Sequence, residues 1–156
     1  MTLLDLTKKT QLILEKRGIA NPPKSRVGLT IDISGSMMDE YQNGLVQKTV
    51  DRILAIAQKF DDNGEIDVWT FHNKPSTAPV ATAQSFGNYV KECILDNPKI
   101  SKWGGTSYAP VMNLILDHYY RGITTVKKEG GFLGFGVKKT VELKQAENTD
   151  IPALML

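Results

Sequence analysis

Three oxygen-bearing side chains stand at alternate positions, Asp32, Ser34 and Ser36, at the end of the apolar run Val27-Gly28-Leu29-Thr30-Ile31. If the backbone stays extended, the strand period of two aims all three to one side, and Gly35 lets the chain turn tightly around a small object held there. One carboxylate and two hydroxyls are hard oxygen donors, the kind that a cation such as magnesium takes. The same residues also suit a strand-end turn in which Asp32 and its serines cap the backbone. Further along, Gly104-Gly105-Thr106 brings another hydroxyl behind two glycines.

The elements that must position these groups are legible in the pattern. Val27, Leu29, Ile31 and Ile33 form a run without charge until Asp32, as expected of a parallel strand buried on both faces. Leu45 to Phe60 puts Val46, Val50, Ile53, Leu54, Ala57 and Phe60 on one stripe, which predicts a helix, and Asp61-Asp62-Asn63-Gly64 predicts the turn that ends it. Ile66 to Phe71 reads as a second strand, parallel to the first because a helix joins them. Thr77 to Ala83 reads as a short edge strand, and Ser85 to Leu95 as a helix. Ser107 is placed to cap a helix reaching Tyr120, with Pro110 in its first turn. Ile123 to Val126 and Val137 to Leu143 flank a glycine-rich stretch and predict a hairpin, about 123–144, inserted into the domain. Ile151 to Leu156 is a final apolar strand. Ahead of all this, Thr2 to Lys16 predicts an amphipathic helix on the outside, followed by the Asn21-Pro22-Pro23-Lys24 connection. The expected division is residues 1–24 as helix and linker and 25–156 as one domain.

An Asp-x-Ser-x-Ser run at the carboxyl end of a buried strand, with Gly104-Gly105-Thr106 downstream, resembles the metal-ion-dependent adhesion site of von Willebrand factor A domains. The stretches Asn43-Gly44 to Gly64 and Trp103 to Met112 look most like the A domains of bacterial tellurium-resistance and toxic-cation stress-response proteins, and the resemblance covers about Arg26 to Tyr120. It implies an α/β fold: a three-layer, Rossmann-like, open twisted, mostly parallel sheet with helices on both faces. It also implies that Ser34, Ser36 and Thr106 are hydroxyl ligands of a magnesium ion, with manganese or calcium as substitutes, and that Asp32 lies near the metal directly or through water. Such a set neutralises a divalent charge poorly, so a protein partner offering an acidic side chain would complete the shell. Met37, His72, Gly105 and Ser107, at the same rim, are the residues expected to meet that partner. The function implied is metal-dependent, non-enzymatic protein binding in tellurium resistance or stress response.

Competing chemistries leave weaker traces. A magnesium-dependent phosphohydrolase of the haloacid dehalogenase type is the alternative, yet it needs a second aspartate two residues after the first, where Ser34 stands. Ser34-Gly35-Ser36 is no Gly-x-Ser-x-Gly elbow, no Gly-Lys-Ser/Thr phosphate loop occurs, and Gly131 to Gly136 lacks the dinucleotide-binding order. His72 and His118 are too few for zinc without cysteine support, and His118 reads as a satisfied, partly buried histidine. The lone Cys93 reads as a small buried hydrophobe.

With 156 residues, 23% charged and 41% hydrophobic, the chain suits one soluble domain. A formal charge of +2 gives no case for nucleic acid, and the lysines at 127, 128, 138, 139 and 144 are offset by Glu129 and Glu142. No apolar run approaches a membrane span, and the start lacks the continuous apolar centre of a secretion signal, so a cytoplasmic location is expected. In the A-domain pattern the strand matching Ile151 to Leu156 continues into an Asp-Gly turn and further elements. The expectation is therefore an incomplete domain whose open sheet edge favours self-association, unless the hairpin folds back over it.

Overall fold

The computed structural model describes residues 1–119, 124–129, 138–143 and 153–156. The chain opens with α1 (Leu3–Lys16), whose start is fixed by a reciprocal cap: Asp5 N–H donates to Thr2 Oγ1 at 3.2 Å and Thr2 N–H to Asp5 Oδ2 at 3.0 Å. Those bonds hold the exposed Asp5 carboxyl below its ordinary range. Only Leu14 of α1 is fully buried, and the helix lies against α3 (Leu45–Phe60).

β1 (Ser25–Asp32) is one of the two inner strands of a four-stranded sheet ordered β3-β2-β1-β6. It pairs in parallel with β2 (Asp61–Phe71), from Val27 opposite Ile66 to Asp32 opposite Phe71, and β3 (Pro75–Ala81) adds antiparallel beyond β2. On the other side of β1 lies β6 (Ala153–Met155), also parallel, with Val27 opposite Leu154. The expected final strand therefore forms where the pattern placed it, and the sheet grows from β1 in both directions. In open α/β sheets that reversal of strand order marks the crevice where ligands bind, outside the strands' carboxyl ends.

Alternation along the strands builds two cores. Ile66 and Val68 join Val27, Leu29 and Ile31 beneath Val46, Val50, Leu54 and Ala57 of α3, while Trp69 and Phe71 face Val111, Ile115 and Tyr119 of α4 (Ala109–Tyr119). Helices thus cover both faces of the sheet. β4 (Thr124–Glu129) and β5 (Lys138–Leu143) pair antiparallel from Thr124 opposite Leu143 to Glu129 opposite Lys138. Among the described residues they form a sheet of their own, and the glycine-rich tip of the hairpin lies outside those residues.

Three expectations change. The Asp61 to Gly64 turn forms, with Gly64 at φ +78°, but inside β2 rather than ahead of it, because the strand starts at Asp61, which is 3% exposed. Its carboxylate takes the N–H groups of Val27 (2.6 Å), Asn63 and Gly64 (both 3.0 Å), so the bend is absorbed into the strand as an irregularity beside β1. The Ser85 to Leu95 helix is broken instead into a 3-10 turn at Ala83–Ser85 and a π-helical stretch at Val90–Leu95. Gly87 between them has φ +84°, and α3 supplies the acceptors there: Asp51 Oδ1 takes Gly87 N–H at 2.9 Å and Gln47 Oε1 takes Val90 N–H at 2.7 Å. Finally, α4 starts at Ala109 rather than just after Ser107: its first helical N–H, that of Met112, donates to Tyr108 O at 3.1 Å.

Candidate metal centre

At the carboxyl end of β1 the backbone keeps its ladder one residue past the strand, with Ile33 N–H donating to Phe71 O at 2.8 Å. The chain then turns through a 3-10 segment (Gly35–Met37) into the short α2 (Met38–Gln42). Asp32 Oδ1 accepts the Ser34 N–H at 2.7 Å, which orients the carboxylate toward the turn, and Oδ2 has no such bond among the described residues. Ser34 is 1% exposed and Ser36 exposed, yet their hydroxyl oxygens lie 3.2 Å apart. The hydroxyls of Ser34 and Ser36 therefore meet, and the Asp32 carboxylate is tied to the same turn through the Ser34 N–H, the contact expected of a capped strand-end turn.

The second loop is tied to the first by backbone. Trp103 N–H donates to Ile33 O at 2.9 Å and Gly35 N–H donates to Gly104 O at 3.0 Å. Trp103 takes φ +62°, a left-handed conformation uncommon for a large residue, at the point where the two loops join. Thr106 follows, exposed, between two anchored neighbours: Gly104, bound to Gly35, and Ser107, bound to His72. Gly105 is exposed with open space around it, and Ser107 is half-buried.

His72 is placed differently from its expected role at the surface. It is 3% exposed, and its ring lies under Gly104, so it supports the loop from beneath and offers no face to a partner. The reason is the bend after β2, where His72 N–H donates to Lys74 O at 3.2 Å and turns the ring inward. Met37 is half-buried and lines a trough of about 250 Å³ together with Leu29, Ile31, Leu45, Val46 and Val50, with Asp32 at its rim.

Tyr41 was not singled out by sequence reasoning. Its hydroxyl donates to Asp32 O at 3.0 Å and its ring meets Trp103 edge-on at 5.4 Å, so one α2 side chain braces both loops. Burial, and then the nearby Asp32 charge, pushes its phenol far above the usual tyrosine range. No spacing rule flags this tyrosine, because its partner is a backbone oxygen nine residues away.

The donor set suits a hard cation. Two neighbouring ligands of an octahedral magnesium lie about 2.9 Å apart, given bonds of about 2.0–2.1 Å, so hydroxyls at 3.2 Å need little adjustment to share one. Among the described residues no three His, Cys, Asp or Glu side chains gather, so an ion here leans on hydroxyls and on Asp32.

A family profile described as the vWA found in the TerF C terminus matches residues 24–129. The chain belongs to this vWA-TerF-like family. An uncharacterized protein of Bacillus subtilis (strain 168), YcbR, is 42% identical over 120 residues, covering 76% of this chain and 49% of the relative. The vWA-type chain thus spans about half the length of the curated relative it matches, and no solved structure matches it. No helix among the described residues is long and apolar enough to cross a membrane.

Elsewhere, His118 is half-exposed, with Nε2 3.4 Å from Asp67 Oδ2 and its ring against Trp69 and Tyr119. Cys93 packs against the main core, and burial raises its thiol.

Proposed function

We propose that this vWA-type domain is a divalent-metal-dependent protein-binding module, acting in tellurium resistance or a related stress response. The observation that carries the reading is the pair of serine hydroxyls 3.2 Å apart on the turn that the strand-end carboxylate of Asp32 caps. The ion would be held by Ser34, Ser36 and Thr106, with Asp32 bound to it or to its water. Magnesium suits these donors, and manganese or calcium would substitute. A bound divalent ion supplies an electrophilic anchor for a carboxylate from outside.

What the chain itself contributes is placement. Asp32 orients the turn through the Ser34 N–H, Tyr41 holds the Asp32 carbonyl, and the Trp103–Thr106 loop closes from the other side. With one carboxylate against two positive charges, a partner's acidic side chain gains by joining the shell, so metal and partner affinity are linked and each raises the other. The apolar trough beside Asp32 offers adjoining surface for such a partner. The tellurium link is supported by the family description, and non-enzymatic binding by Ser34 standing where a haloacid dehalogenase-type phosphohydrolase needs its second aspartate.

The test uses Asp32→Ala. Magnesium affinity measured by calorimetry should fall below detection, while loss of the Ser34 N–H bond to the Asp32 carboxylate lowers fold stability by about 1.5–3 kcal/mol. Unchanged metal affinity in that variant refutes the assignment. Capture of a protein partner that disappears with chelator supports the module, whereas phosphoester turnover lost in Asp32→Asn would move the reading to a phosphohydrolase.

A further inference from the structure

We infer that His72 is the positioning residue of this centre, the seat on which the loop carrying Thr106 is set. The inference rests on the metal reading for its affinity readout and on geometry alone for its structural one.

His72 holds the loop at two points. Its carbonyl accepts the Ser107 N–H at 2.9 Å, directly after Thr106. Its ring lies so close under Gly104 that a Cβ there would stand 3.0 Å from His72 Cγ, nearer still to Nδ1, and 2.6 Å from Asn73 Oδ1. Gly104 in turn accepts the Gly35 N–H at 3.0 Å, which ties the seated loop to the serine turn. The span from Gly104 to Ser107 therefore rides on one residue, and the height of that seat sets where Thr106 stands relative to Ser34 and Ser36.

The ring is itself fixed by polar contacts. According to its tautomer, Nδ1 either donates to Asn73 Oδ1 or accepts the Lys74 N–H, which stands 3.3 Å away. Among the described residues buried Nε2 has no hydrogen-bond partner, nor has Thr70 Oγ1 near the end of β2. An unpaired polar atom in a core costs free energy, so an apolar residue would serve better if the position only had to be filled. The side chain suits a different demand, a flat ring with a polar atom at Nδ1 that locks the bend at residues 72–74 and leaves room for a glycine above it. Gly104 is the other half of this fit, because its lack of a Cβ is what permits the close approach.

The test is a double-mutant cycle read by two measurements on the full chain. Backbone amide resonances of Gly105, Thr106 and Ser107 in metal-free protein report the loop, and calorimetry with magnesium reports the site. Gly104→Ala should shift those amides and weaken magnesium about tenfold, the scale on which supporting residues tune metal affinity. In a His72→Ala background, where the ring is gone and the Asn73 side chain, freed from Nδ1, can turn aside, adding Gly104→Ala should weaken magnesium less than about twofold further, a strong departure from additivity. His72→Asn, which keeps a polar atom where Nδ1 stands, should restore most of the affinity that His72→Ala loses. Additive losses in the cycle, or unmoved loop amides in Gly104→Ala, overturn the inference. Should the unaltered protein bind no magnesium, the metal reading falls, and the amide shifts still decide whether His72 seats the loop.

Discussion

Replacing Asp61 with alanine should be among the most damaging single changes in the chain, though nothing at that position touches the candidate centre. The carboxylate is 3% exposed and accepts three backbone N–H groups, from Val27 at 2.6 Å and from Asn63 and Gly64 at 3.0 Å each. Val27 is buried, so its N–H would be left without a partner and without water, costing about 2–3 kcal/mol for a bond to a charged group. Asn63 is exposed and Gly64 half-buried, so their N–H groups can turn to solvent at about 0.5 kcal/mol each. The sum is about 3–4 kcal/mol, or a drop in melting temperature of about 6–16 °C for a chain of this size. Asp61→Asn keeps an acceptor for Asn63 and Gly64 but sets an amide donor against the Val27 N–H, so it should cost about 2 kcal/mol. Urea unfolding with an unchanged slope measures both, and hydrogen exchange at the Val27 amide locates the damage. If Asp61→Ala lies within 1 kcal/mol of the parent protein, the claim that this carboxylate fastens the start of β2 to β1 is wrong.

The remaining predictions concern the sheet edge, the tyrosines and the loop. Gly28→Ala puts a Cβ 2.5 Å from Met155 Sδ and 2.8 Å from the Tyr119 hydroxyl, so it should cost about 1–3 kcal/mol and loosen β6. The check is faster exchange of the Leu156 amide, which donates to Gly28 O at 2.9 Å. Burial raises the phenols of Tyr41, Tyr89 and Tyr119 far above the usual range. Their unfolded pKa is about 10, so their contribution to stability is complete below that pH and is lost as pH rises above it. In an ultraviolet titration their tyrosinate absorbance should appear only together with unfolding, and ionisation near pH 10 in the folded protein would contradict the burial. Thr106→Ala should weaken capture of a partner more than resting magnesium affinity, and the reverse order in paired calorimetry and pull-down would argue against a site that partner and metal complete together.

Much of the architecture was already legible in the one-dimensional pattern. The charge-free alternation at Val27 to Ile33, the apolar stripe through Val46, Val50, Leu54 and Ala57, and the β-rich run ending at Phe71 are local periodicities that only one kind of element satisfies. Asp32, Ser34 and Ser36 were legible as a run of oxygen donors, but the period of two ends at Ser34, and it is the 3-10 segment Gly35–Met37, not an extended strand, that brings the Ser36 hydroxyl back to that of Ser34. The 85–95 helix was misread because its start is decided by Asp51 and Gln47, side chains on α3 some 36 and 43 positions away. Asp61 looked like a turn residue because its sequence neighbours are polar, whereas its burial follows from Val27, 34 residues earlier, needing an acceptor. His72 looked like a rim residue because it ends a strand, and only the folded bend shows the ring turned under Gly104. Periodicity and turn chemistry act over a few residues and can be read along the chain. Which buried donor meets which distant acceptor depends on elements packed together in space, and that pairing exists only in the tertiary structure.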